Sequence, residues 1–161
     1  MKALIFLLTL AFPAAGHAQW FLIPPSAITA SSTAVMSISP FNSAYETVAL
    51  TIEYAPNLSC QPAMGVMFVK RGGKGRPLTT SLEPGGALMF EIGRQKWLAV
   101  TNLIRYENGF EAIAKVSPAL VNRIKTGESI RVTYGNNLAV EFPAVRQVES
   151  ILAAERLCLG T

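Results

Sequence analysis

The chain's chemistry rests on ten glutamates, fourteen lysines and arginines, two cysteines and a single histidine, with no aspartate at all. Paired carboxylates can cleave glycosides, and Glu107 and Glu111 are the pair to weigh. They flank a glycine turn instead of sharing a rigid face, and only Trp20 and Trp97 are available as sugar platforms. A serine or cysteine triad needs a histidine base. The one histidine, His17, lies in a segment that reads as a removable leader. The same loss removes histidine ligands for zinc, and two cysteines alone do not fill a tetrahedral site. An EF-hand loop is excluded for want of aspartates. The expectation is a protein that is not an enzyme, with no catalytic residue, metal or cofactor.

A contact surface is easier to read. Lys70, Arg71, Lys74 and Arg76 stand together in the run KRGGKGRP. Glycines let backbone N–H groups approach an anion, and four cations neutralise phosphate or sulfate groups. The run lacks the Gly-Lys-Ser/Thr ending of a P-loop. The same run also reads as a hairpin tip kept soluble by its charge. A second surface is the apolar start Trp20-Phe21, which can pack on this chain's own sheet or add itself to the sheet edge of a partner. Lys96 beside Trp97 places a cation next to an aromatic ring, although a tryptophan in a strand is more often core.

The N-terminus decides the compartment. Lys2 opens it, Ala3 to Phe12 form an apolar run, and Ala14-Ala15-Gly16-His17-Ala18 provide the small-residue exit. This pattern predicts a signal peptide over residues 1–18. The run is about half the roughly 20 apolar residues a spanning helix requires, so no transmembrane anchor is expected in the mature chain. Residues 19–161 are expected to form one domain, periplasmic or secreted. Thirteen cations against ten glutamates leave that mature chain with a charge of +3. Export exposes Cys60 and Cys158 to oxidising conditions, where two cysteines most simply form one structural disulfide.

The elements that must position these groups are mostly strands. Glu46 to Tyr54 alternates with Val48, Leu50, Ile52 and Tyr54 on one face, and Gly65 to Lys70 is apolar on both faces, like a central strand. Pro84-Gly85-Gly86 reads as a turn, and Gly93-Arg94-Gln95 joins the strands Ala87–Ile92 and Lys96–Leu103. From Phe110 the pattern is clearest: a strand to Val116, then Ser117 as N-cap with Pro118 at the first helical position. Leu120, Val121 and Ile124 share a face, and Gly127 stops the helix. Two strands, Ser129–Tyr134 and Leu138–Phe142, surround the turn Gly135-Asn136-Asn137. A closing helix follows with Val145, Val148, Ile151 and Leu152 on one face. Glu155 would fall on that same face, which predicts that the helix frays or turns outward there. Seven to nine short strands and two short helices predict a mainly β, antiparallel sandwich or barrel.

The motifs PALVNRIKTG, IRVTY, GNN, LAVEFP and VRQVESILAA, with PGGALMFEIG upstream, resemble the invasion-associated locus B family of bacterial exported proteins. That family carries additional cysteines in its first half and middle, whereas here Cys60 stands alone. The resemblance implies a small exported β-rich protein linked to envelope or host interaction, without an established catalytic site, and it transfers no functional residue. The functional expectation is a non-enzymatic exported protein that binds an envelope or host protein, or an anionic lipid or polysaccharide. Nucleic acid is not expected as a partner. The alternatives are a periplasmic inhibitor of a lytic enzyme and an accessory subunit of an envelope or secretion machine.

Overall fold

The structure is a computed structural model that describes residues 20–26, 30–38, 41–72, 77–78, 81–135 and 138–160. The expected leader, the Lys74 and Arg76 end of the basic run, and Asn136-Asn137 of the hairpin turn lie outside the described residues.

Among the described residues, nine antiparallel strands form one curled half-barrel sheet, accompanied by two α-helices. The first four strands are a meander: β1 (Trp20–Ile23), β2 (Ser32–Ile38), β3 (Thr47–Tyr54) and β4 (Pro62–Val69). A second meander runs β5 (Glu83–Ile92), β6 (Gln95–Tyr106) and β7 (Gly109–Lys115). It joins the first where β7 pairs β4, and the hairpin of β8 (Ile130–Tyr134) and β9 (Leu138–Phe142) is added beside β5. The helices are α1 (Pro118–Ile124) and α2 (Gln147–Leu159).

The period-two pattern fixes which face is buried. Val48, Leu50, Ile52 and Tyr54 of β3 are all fully buried, and their register partners Phe68, Val66 and Met64 on β4 continue the same inner face. Ala112 and Ala114 of β7, Ile130 and Val132 of β8, and Val140 and Phe142 of β9 complete it. Curling brings the two edge strands together. The Trp20 N–H donates to Val145 O at 3.1 Å, and its indole Nε1–H donates to Pro143 O at 3.1 Å, just beyond β9.

Two local readings require correction. Pro84–Gly86 is not a turn but part of β5, where the register against β6 shifts between Pro84 and Ala87. Such a bulge needs glycine here, since a Cβ on Gly85 would lie 2.3 Å from Thr101 Oγ1. In α2 the buried residues are Gln147, Ser150, Ile151 and Ala154, while Val145 is exposed. The buried amide of Gln147 donates through Nε2–H to Ile124 O, and from β2 the Ser32 hydroxyl donates to the Ala154 carbonyl of the helix. Nor does the helix fray at Glu155. The Lys125 ammonium donates to both its carboxylate oxygens at 2.8 and 2.6 Å, and α2 continues to Leu159.

The expected disulfide closes this arrangement. Cys60, after the short 3-10 turn Pro56–Leu58, is bonded to Cys158 in the last turn of α2, with Cα atoms 5.9 Å apart. No described helix is long and apolar enough to cross a membrane.

Candidate functional site: a fork between two strands

β6 is held extended by β5, which pairs it from Gln95 to Leu103. On its other side β7 pairs it only from Asn102 to Tyr106. Beyond that point β7 stays with β4, as far as the pair Ala63–Lys115, and then turns through Ser117 into α1. The Ser117 side chain accepts from the Leu120 N–H at 3.3 Å, and Pro118 occupies the first helical turn, so the departure is fixed by the capping sequence.

The two strands therefore diverge like a fork. Between them lies a groove of about 470 Å³, lined on one side by Trp97 to Val100 and Asn102 of β6. The opposite wall is Lys115, Val116, Ser117 and Leu120. Leu98 and Val100 are 75% and 81% exposed, the most exposed large apolar residues of the described chain. Their neighbours across the β5 register are Met89 and Ala87, so an apolar stripe continues on the outer face of the sheet. Lys96 pairs with Glu91 at 3.4 Å and not with the ring of Trp97. Lys115 is exposed and makes no ion pair among the described residues.

The described half of the basic run forms a separate corner at the end of β4. Arg71 is 82% exposed and approaches Glu46 at 3.5 Å. The Lys70 ammonium stands 6.0 Å from the centroid of Tyr45, which belongs to an aromatic row with Phe68, Phe110 and Tyr134. The other two proposed site residues are placed differently. Trp20 is fully buried, packed on this chain's own sheet, and Phe21 is half-buried in β1 beside it. Cys60 and Cys158 are both consumed by the bridge.

The carboxylate pair does not form. Glu107 sits in the turn between β6 and β7, whereas Glu111 lies in β7 on the outer face. There the Tyr106 hydroxyl donates to Glu111 Oε2 at 3.2 Å. Its other oxygen occupies the notch left by Gly65, where a Cβ would come within 2.6 Å of it and 2.7 Å of Thr51 Oγ1. Burial raises the Glu111 pKa to about 7, with the Tyr106 hydrogen bond opposing and the Glu53 charge adding to the rise. Burial, first, and the Glu111 charge push the Tyr106 hydroxyl well above its ordinary value.

No protein-family model, curated protein or solved structure matches this chain. Its surfaces must therefore be read on their own chemistry. Neither the fork nor the Glu111 site was visible in the sequence, since both depend on which strands pair. A weak local signal existed for the fork: Leu98 and Val100 alternate with Trp97 and Ala99, making this strand apolar on both faces.

Proposed function

We propose that this chain is a non-enzymatic exported binding protein that holds its partner at the fork between β6 and β7. The observation that carries this reading is the exposed pair Leu98 and Val100 on a strand whose groove side is paired by no described strand beyond Asn102. Isolated exposed apolar residues are ordinary, but a contiguous patch beside an open strand edge marks an interaction surface. Export is supported by the leader pattern of residues 1–18 together with the Cys60–Cys158 bridge. The locus B resemblance supports an envelope or host component as partner. A non-enzymatic role is supported by the position of Glu111: its carboxyl is engaged by Tyr106 and seated over Gly65, joining strands and not facing the groove.

The corner at Lys70 and Arg71 supports a second reading, in which an anionic lipid or polysaccharide is bound there. A pull-down from envelope extract separates the two. The mature protein is compared with Leu98→Ser/Val100→Ser and with Lys70→Ser/Arg71→Ser/Lys74→Ser/Arg76→Ser. Capture lost only in the first variant is the expected result. Capture lost only in the second, and weakened by salt through screening, would transfer the function to the basic corner. Both sets are at exposed or undescribed positions, so an unchanged urea midpoint is the folding control.

A further inference from the structure

Resting on the fork as the binding surface, we infer that its occupant is an extended peptide segment of a partner protein, added to β6 as a strand and carrying a carboxylate for Lys115. In an extended strand successive N–H and C=O groups alternate between the two sides. Between Lys96 and Thr101 one set bonds to β5, and the other faces the groove with no strand beside it among the described residues. That edge is six residues, about 20 Å at the rise of a strand. Strand addition satisfies such groups directly, with side-chain specificity coming from alternate positions.

The walls select what can be added. Leu98 and Val100 project from one face of β6 at a spacing of two, so the added strand meets them with apolar or β-branched residues at alternate positions. Charge comes from the opposite wall. The β6–β7 register, continued beyond Asn102–Ile113, sets Lys115 opposite Val100. Its ammonium is exposed and makes no ion pair among the described residues, whereas Lys96 at the other end is already engaged by Glu91. The complement is an acidic side chain or a terminal carboxylate at the Val100 end.

A second copy of this chain is disfavoured by the same walls. Two-fold pairing of β6 edges would bring a second Lys115–Leu120 wall into the space beside the first, and would face cations of like sign. A lone strand avoids both.

The test uses the mature, bridged protein and a synthetic octapeptide of alternating valine and threonine ending in two glutamates with a free carboxylate. Two controls accompany it: the same peptide ending in two lysines as an amide, and the glutamate peptide with its pairing amides N-methylated. Amide hydrogen exchange is read at Lys96 to Thr101, with Trp97 fluorescence as the titration signal. The glutamate peptide is expected to slow the groove-facing amides at least fivefold. The lysine peptide should need roughly tenfold more for the same effect, and the methylated peptide should give none. Unchanged exchange at millimolar glutamate peptide, or equal slowing by the methylated one, overturns strand addition. So does slowing that follows protein concentration without peptide, which would make the occupant a second copy. An extract partner lost in Leu98→Ser/Val100→Ser but not displaced by the glutamate peptide would keep the fork as the site and remove the strand. A partner retained in that variant would remove the fork itself.

Discussion

Glu111→Gln isolates the one described carboxyl whose proton is held near neutrality. Burial lifts its pKa from 4.5 to about 7, and each unit corresponds to about 1.4 kcal/mol. The difference is about 3 kcal/mol as an upper figure, because solvent reaches one edge of the side chain. The folded protein holds this proton more tightly than the unfolded chain does. The stabilisation is therefore complete below about pH 4.5 and is lost as pH rises to about 7. Above that, the fold carries an ionised carboxylate in the Gly65 notch. Glutamine keeps the shape, still accepts from the Tyr106 hydroxyl, and has no charge to desolvate. At pH 8 the variant should be the more stable protein by up to about 3 kcal/mol, roughly a hundredfold in the unfolding equilibrium. At pH 4.5 the two should be nearly equal. Urea unfolding followed by the fluorescence of buried Trp20, at pH 5, 6, 7 and 8, measures this directly. The only histidine of the chain is His17, so a variant that begins at Gln19 has no histidine titrating in the same window. Glu53→Gln should move the transition to lower pH by removing a like charge. A wild-type stability equal at pH 5 and pH 8, or a glutamine variant weaker than wild type at pH 8, would refute the reasoning.

Reduction of Cys60–Cys158 opens a loop with a sequence separation of 98 and should cost about 4–5 kcal/mol on the chain-entropy account, seen as a lower urea midpoint and faster hydrogen exchange in α2. Lys125→Ala strands the Glu155 carboxylate near the buried hydroxyl of Tyr54, which has no hydrogen-bond partner among the described residues, and should cost about 1–2 kcal/mol, below the range for fully buried pairs. The double change Lys125→Met/Glu155→Leu should recover most of that loss in the same unfolding assay. In Gly109→Ala the added Cβ would lie 1.9 Å from the Phe68 carbonyl oxygen, forcing β4 and β7 apart at a cost of about 3 kcal/mol, measured as a lowered thermal midpoint.

Where chemistry is local, the sequence was sufficient. Ser117, Pro118 and Gly127 delimit the first helix because capping and positive φ are properties of a few adjacent residues; Gly127 indeed has φ +78°. The strand faces of β3, β8 and β9 follow from alternation alone. Local pattern failed where a distant partner changes what a residue is worth. Gln147 looks like a surface residue until Ile124 O accepts its amide, and Val145 is left outside α2 because Arg146, in the left-handed region, starts the helix only at Gln147. Lys125 accommodates Glu155 as Ile124 does Gln147. The glycines of Pro84-Gly85-Gly86 suit a turn and a bulge equally, and Thr101 on the neighbouring strand decides between them. The basic run was legible as charge, and its described members, Lys70 and Arg71, are exposed. The fork was not legible, because the parting of β7 from β6 is a matter of pairing that no single strand encodes.

The position of α2 also orders the way the chain becomes protected from water. This helix follows all nine strands, yet it packs on β1, β2 and β3, the earliest of them. Until it arrives, the first meander exposes the inner side of Trp20, Ala34, Met36 and Leu50, a surface prone to self-association. Local hairpins can form quickly, whereas covering that side waits on closure of a loop nearly a hundred residues long. On this ordering the exposed species is a chain with its hairpins made and α2 not yet docked, and the Cys60–Cys158 bridge holds that helix in place once it has docked.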